Sequence, residues 1–211
     1  MASSPRTFCP YSEAACRITD GDLLLFRNGG LIGLWTHSPY RHAATAYWQR
    51  HVTHKPGGER EHCSRLVLVD TIEGTGGRSG IPLRREVQER PGKIDVFAVG
   101  EQFPEYNARG AVEWLLANLP GKPYGKRTFL HIALSYLPIL RIWRRPNFDD
   151  LSVLSGHHVC SSARCTADRL GGGVDPVPGL ADAFVEPRHL AHSLLYRYRF
   201  TLVPDDWEVP A

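Results

Sequence analysis

The feature that most constrains the fold is residues 156–173, where a loop leads into a helix that a glycine run ends. Serines at 161 and 162 are typical of a helix N-terminus, and three glycines at 171–173 are a strong stop signal. Apolar residues recur at spacings of four, four and three: Val159, Ala163, Ala167 and Leu170. This periodicity predicts an amphipathic helix whose apolar face packs on the rest of the chain.

Cys160 lies at or just before the first turn of this helix. The unpaired N–H groups and the dipole of a helix N-terminus favour a thiolate and lower the pKa of a thiol. Cys160 is therefore a candidate nucleophile, although a small buried apolar side chain is the alternative interpretation. Cys165 lies about 140° further around the helix, so we expect it to face the core and not to act as a resolving thiol.

Extended segments come before this helix and one comes after it. Strands are predicted at 23–26, 42–48, 66–72, 94–99 and 195–202, with a polar hairpin loop at 51–64, a glycine turn at 74–80 and a helix at 107–119. Strands followed by helices indicate an α+β fold, a mostly antiparallel sheet or small barrel packed on helices. We expect a loose N-terminal arm at 1–19, one domain at 20–204 and a tail at 205–211.

Composition excludes several classes of protein. The net charge of +3 is too small to indicate a nucleic-acid partner. Five cysteines without regular spacing indicate no disulfide framework. The sequence contains no apolar run of about 18 residues, the length that a membrane span requires. It also lacks the apolar segment near the N-terminus that is typical of a signal peptide. These features predict a cytoplasmic protein.

A cysteine nucleophile needs a base and a group that orients the base. His42 begins a strand of small residues, and Asp70 lies near the end of the next strand. Adjacent antiparallel strands bring such residues side by side, so Asp70 would fix the tautomer of His42. The alternatives are a half-buried structural histidine and a turn-forming aspartate. His37 is another candidate base, in a loop before a proline.

A set of motifs in a fixed order resembles the YiiX-like family of circularly permuted, NlpC-type, papain-like proteins, over about residues 20–204. The motifs are Gly21-Asp22 before an apolar strand, His42-Ala43-Ala44, an acidic strand with Asp70, Gly92-Lys93-Ile94, Pro123-Tyr124-Gly125 and Cys160-Ser161. Relatives of this kind are often found among bacterial and phage proteins. In a permuted chain the histidine and the acid precede the cysteine, which is the order seen here.

The resemblance implies a papain-like thiol protease or amidase with a catalytic triad of Cys160, His42 and Asp70. It implies acyl transfer through a thioester and no cofactor. Relatives often carry Glu where this chain has Asp70, so Glu73 is the substitute orienter. The Cys160 backbone N–H is the expected oxyanion donor. Tyr40 is a second possible donor, with aromatic packing as its alternative role.

Substrates of this class would be a peptide, a peptidoglycan fragment, or a lipid amide or ester. The family resemblance leaves three functions open: an amide hydrolase, a lipid acyltransferase or deacylase with the same triad, and a non-catalytic phage or structural binding protein. Ser161 and His158, which flank the nucleophile, are secondary candidates for the site, and loop capping is the alternative role of His158 and its neighbour His157.

Two other clusters are weighed against this site. Zinc ligands are conceivable in the 51–64 segment, completed by His157, His158 or Cys165, but the spacing matches no standard finger. The candidates are His51, His54, His62 and Cys63. A solvated, histidine-rich hairpin is the preferred interpretation, so no metal is predicted. A basic aromatic patch of Arg141, Trp143, Arg144 and Arg145 would suit an anionic substrate or a membrane surface, or be ordinary exposed surface.

Overall fold

The computed structural model describes residues 6–27, 38–54, 60–124 and 159–208. The strands are β1 Phe8–Pro10, β2 Leu23–Arg27, β3 Tyr40–His54, β4 Arg60–Ile72, β5 Gly76–Pro82, β6 Ile94–Val99 and β7 Tyr196–Val203. The helices are α1 Tyr11–Ala15, α2 Leu83–Glu89, α3 Ala108–Asn118, α4 Cys160–Leu170 and α5 Pro187–Ala191, with a 3-10 turn at Asp182–Phe184.

The seven strands form one sheet in the order β1-β7-β6-β2-β3-β4-β5. Every neighbouring pair is antiparallel except β1 with β7, which is parallel. The protein is thus a mixed α/β chain with a mostly antiparallel sheet, as predicted. The sheet is open, with β1 and β5 at its edges, and is not the small barrel that the sequence also allowed.

The β3–β4 hairpin is longer than predicted. Its register runs from Thr45 opposite Val69 to His54 opposite Arg60, so much of the expected polar loop at 51–64 is strand. Backbone pairing continues there without an apolar face, because ladder hydrogen bonds do not depend on side-chain polarity. Gly77, expected in a turn, lies in β5, where an added Cβ would sit 1.8 Å from the Leu119 carbonyl oxygen.

The N-terminal segment also differs from the expectation of a loose arm. Phe8 pairs with Thr201, which adds β1 to the edge of β7, and Ala14 and Ile18 are buried in the main core. The edge of β7 supplies hydrogen bonds that a sequence pattern does not display. The tail begins attached as well, because Asp205 accepts a 2.7 Å hydrogen bond from the Ser12 N–H.

Helix α2, which the sequence did not predict, follows β5 directly. Leu83 and Val87 are four residues apart and both are buried, so one face of this short helix packs on the sheet. Helix α3 appears where it was predicted and begins at Asn107, whose side chain accepts a 2.9 Å hydrogen bond from the Gly110 N–H. Such a cap satisfies one of the unpaired donors of the first turn.

Helix α4 is the centre of the molecule, and residues 160–168 are all buried. Ala163 and Ala167 face β3, β4 and α3, as their spacing predicted, whereas Leu170 is half exposed at the end. The neighbouring side of the helix carries Arg164, which is only 1% exposed. A helix with a charged residue inside the core requires internal partners for that charge.

Arg164 finds those partners on four parts of the fold. It donates to the Asp168 carboxylate, the Tyr196 hydroxyl, the Thr45 hydroxyl, the Gly21 carbonyl and the Tyr106 hydroxyl, at 3.2, 2.8, 2.7, 2.7 and 3.1 Å. Gly21 has a φ of +89°, and a Cβ added to it would lie 3.0 Å from the Ala108 Cβ. Glycine is therefore required at this turn. The network joins α4 to β2, β3, β7 and the start of α3.

Among the described residues, no helix has the length and apolar character needed to cross a membrane.

Candidate active site

The first part of the site is a histidine and an aspartate on neighbouring strands. The pairing of Thr45 with Val69 puts His42 and Asp70 on the same face of the β3–β4 pair, as predicted from the antiparallel arrangement. His42 Nε2 lies 2.8 Å from Asp70 Oδ2. The His42 ring packs at 5.1 Å from the Phe26 ring, which restricts its orientation. The His42 side chain is 21% exposed and that of Asp70 is 1% exposed.

Asp70 has a second partner that sequence reasoning missed. Arg78 lies opposite Asp70 in the β4–β5 register and donates twice to it, from Nε to Oδ1 at 2.9 Å and from Nη2 to Oδ2 at 2.7 Å. Burial alone would raise the pKa of the Asp70 carboxyl. The hydrogen bonds and charges of His42 and Arg78 outweigh burial and lower that pKa below its ordinary value, so the carboxylate stays ionised.

Cys160 is the first residue of α4 and is 8% exposed. The helix start is closed by Ser162, whose hydroxyl accepts from the Val159 N–H and donates to the Val159 carbonyl, both at 3.0 Å. The backbone N–H groups of Ala43 and Ser161 donate hydrogen bonds to the Cys160 sulfur. The sulfur therefore sits where main-chain dipoles from both β3 and α4 favour negative charge.

The electrostatics of Cys160 and His42 depend on each other. Burial would raise the pKa of the Cys160 thiol, but the charge of His42 and its hydrogen bond to the sulfur lower it below the ordinary value. Burial would lower the pKa of His42, but Cys160 and Asp70 together raise it to about 9. At neutral pH the arrangement favours a thiolate beside an imidazolium, which is the reactive form of a cysteine.

Tyr124 interacts electrostatically with Cys160. Burial raises the pKa of its phenol, and the charges of Cys160 and Glu73 raise it further, so the hydroxyl stays protonated. In the sequence, Tyr124 stood out only as part of a tyrosine-glycine motif. A protonated phenol near a reacting thiolate is able to donate a hydrogen bond to developing negative charge.

The side chains of the other predicted site residues have different partners. The Tyr40 hydroxyl donates to Asp95 at 2.7 Å and accepts from Arg27 at 2.8 Å, so its proton is already engaged by a carboxylate. Glu73 is exposed in the turn after β4 and does not replace Asp70 beside His42. The Ser161 hydroxyl donates to the Val185 carbonyl at 2.6 Å. Four expectations fall outside the described residues: His37, His157, His158 and the patch at 141–145.

The proposed zinc ligands follow the outer part of the β3–β4 hairpin, where His51 pairs with Cys63 and His62 pairs with Val52. Across the part of the chain that the structure describes, no three His, Cys, Asp or Glu side chains gather as metal ligands. Cys165 is fully buried as predicted, and its thiol donates to Asp182 at 3.3 Å. Burial and the neighbouring aspartates raise the pKa of this thiol, which keeps it protonated.

A scan of the chain against protein-family models finds no match, and a search of curated proteins finds none either. The chemical interpretation of the site therefore rests on the residues and contacts described above.

Proposed function

We propose that the protein is a cysteine-dependent hydrolase of amide bonds, a peptidase or amidase with a circularly permuted papain-like fold. The observation that supports the proposal is the position of His42, whose Nε2 lies 2.8 Å from Asp70 Oδ2 and whose ring interacts electrostatically with the Cys160 sulfur. A thiol, a base and an orienting carboxylate from separate elements have no structural need to converge, whereas nucleophilic catalysis requires it.

The roles of the three residues follow from their contacts. The Cys160 thiolate attacks the carbonyl carbon of the scissile amide, and a tetrahedral oxyanion forms. Because His42 Nε2 is bound to Asp70, Nδ1 is the nitrogen left to carry the proton to the leaving amine. Release of the amine leaves a thioester on Cys160. Water, deprotonated by the neutral His42, attacks the thioester, releases the acid and restores the thiolate.

The oxyanion would form beside the first turn of α4, where the Cys160 N–H belongs to the unpaired donors of the helix start. The Tyr124 phenol stays protonated and interacts electrostatically with Cys160, which makes it a candidate for the second donor. Tyr40 is not proposed for this role, since its hydroxyl is bonded to Asp95. Peptides and peptidoglycan fragments are the proposed substrate class, by the family resemblance of the motifs.

The proposal is tested by thiol labelling followed by a substrate screen. Iodoacetamide at neutral pH should alkylate Cys160 in the wild type, with the adduct located by peptide mass mapping, and not in Cys160→Ala. The matched control is Cys165→Ala on the same helix, which should leave labelling of Cys160 unchanged. Absence of an adduct on Cys160, or an adduct that moves to Cys165, contradicts the proposal.

In the substrate screen, peptides, peptidoglycan fragments and phospholipids are each incubated with the purified protein. Cleavage of an amide that is lost in both Cys160→Ala and His42→Ala supports the hydrolase. Turnover of phospholipids alone would contradict an amide substrate and indicate a lipid ester.

A further inference from the structure

Arg78 is the one charged side chain besides His42 that contacts the Asp70 carboxylate among the described residues. Its guanidinium spans both carboxylate oxygens, at 2.9 Å to Oδ1 and 2.7 Å to Oδ2. Oδ2 is shared, because the same atom accepts from His42 Nε2 at 2.8 Å. A bidentate arginine fixes the plane of a carboxylate, so the direction in which Oδ2 presents its remaining lone pair is also fixed.

The contact is built by strand register. Asp70 lies directly opposite Arg78, next to a shift in the β4–β5 pairing between Leu68 and Asp70. Asp70 is buried to 1% exposure, whereas the Arg78 side chain remains 26% exposed. Arg78 thus reaches the carboxylate from the outer strand of the sheet without being part of the core. In the described structure, Asp70 is the only carboxylate that Arg78 contacts.

We propose that Arg78 is a positioning residue for the reaction, which acts through Asp70 to hold His42 against Cys160; this inference rests on the proposed hydrolase function. Asp70 has a short side chain, so rotation about its single Cα–Cβ and Cβ–Cγ bonds decides whether Oδ2 reaches His42. The guanidinium removes that freedom. It also supplies a permanent positive charge that keeps the buried carboxylate ionised.

The effect on the thiol has a definite sign. Ionised Asp70 stabilises the imidazolium of His42, and the imidazolium stabilises the Cys160 thiolate. Loss of Arg78 lets the carboxylate turn or take up a proton, which weakens the imidazolium–thiolate pair. The pH at which Cys160 becomes a thiolate then rises. Tyr124 also interacts electrostatically with Cys160 in the described structure, and neither Tyr124 nor the exposed Glu73 is among the hydrogen-bond partners of Asp70.

The test measures the rate of iodoacetamide alkylation of Cys160 as a function of pH in intact protein. The acid limb is the part of this rate profile in which alkylation slows as the Cys160 thiolate gains a proton. In Arg78→Ala we expect the acid limb to move up by about one pH unit, so that alkylation at pH values below it is about tenfold slower. Arg78→Lys keeps the charge but loses the fork, and should give a smaller shift. Arg65→Ala is the matched control, because Arg65 also lies on β4 and, within the part of the chain that the structure describes, donates its side-chain hydrogen bonds to Gln49 and not to Asp70.

A double-variant cycle separates positioning through Asp70 from a general structural role. In an Asp70→Asn background, Arg78→Ala should add no further shift, since the group that Arg78 positions is already altered. The same added shift in that background, or an unshifted limb in both Arg78 variants, overturns the inference. If wild-type Cys160 itself is not alkylated, the proposed function fails, which is a different outcome from failure of the Arg78 assignment.

Discussion

Asp168 and Asp70 are two of the buried aspartates that pair with an arginine in the described structure, and of these two only Asp70 belongs to the candidate site. Asp168 accepts from Arg164, Tyr106 and Tyr196, and its side chain is fully buried together with that of Arg164. Asp70 accepts from Arg78 and from His42. The partners of each aspartate decide its role, because arginine and tyrosine keep their protons at neutral pH, whereas a histidine can exchange one.

The Arg164–Asp168 pair and the Asp70–Arg78 pair also act on different sides of the contact between Cys160 and His42. Arg164 lies one helical turn after Cys160 and donates to the Thr45 hydroxyl, three residues after His42 on β3. The core pair therefore fixes the nucleophile helix against the strand of the base. The Asp70–Arg78 pair fixes the base from the other side.

Loss of the core arginine should cause the largest change. Arg164→Met leaves the Asp168 carboxylate buried without its cation, and we expect a loss of about 3–5 kcal/mol in the free energy of unfolding. Urea denaturation measures this. The matched control is Arg109→Ala, an exposed arginine that pairs with Glu113 on α3, for which we expect a change of about 0.5 kcal/mol or less. Equal effects of the two substitutions would contradict the structural role of the core pair.

Asp70→Asn should reverse this balance of effects. The fold should lose about 1 kcal/mol, because Arg78 remains partly exposed and can be solvated. Alkylation of Cys160 below its acid limb should fall by about tenfold, since the imidazolium loses its counter-charge. Asp168→Asn is the paired comparison and should mainly lower the unfolding free energy. A variant Asp70→Asn with wild-type alkylation at every pH would break the distinction between the two pairs.

The titration of His42 sharpens the comparison further. Its ring should titrate with a pKa of about 9 in the wild type, observed by NMR of the ring protons. In Cys160→Ala this pKa should fall, because the charge on the sulfur, the largest influence that raises it, is removed while burial remains. The His42 proton stabilises the fold fully below pH 6.5, its ordinary pKa, and that contribution is lost as pH rises through about 9. An unchanged pKa in Cys160→Ala would show that the two groups do not interact.

Tyr40→Phe should have the smallest effect on the site. Removal of the hydroxyl breaks the contact with Asp95, so we expect a loss of about 1–3 kcal/mol in unfolding free energy. Alkylation of Cys160 should keep its wild-type pH profile. A large fall in turnover of an identified substrate, with the profile retained, would instead return Tyr40 to the group of oxyanion donors.

Sequence patterns were sufficient where one element carries its own signal. Helix α4 was predicted from its spacing and its glycine stop, and the strands of the core from their apolar runs. The pairing of β3 with β4 then followed, and it brings His42 to Asp70. Arg78 could not be predicted in the same way, because its position depends on a register shift and on glycines that read as a turn.

The missed core network had a weaker signal that was present in the chain. Arg164 and Asp168 lie four residues apart on a helix whose other residues before Arg169 are all small, and four residues is the spacing of an ion pair within a helix. The N-terminal segment gave no such signal. Its order comes from the free edge of β7, and an edge is a property of the folded sheet rather than of the residues that dock on it.

The late position of Cys160 has a consequence for synthesis of the protein. His42, Asp70 and Arg78 are synthesised first. The nucleophile, Cys160, is made only when α4 is translated, more than a hundred residues after His42. Until that helix docks against β3, the sulfur has no imidazole beside it and stays an ordinary thiol. Reactivity is thereby delayed until α4 has been synthesised and has packed against β3, so the order of synthesis determines when the nucleophile becomes active.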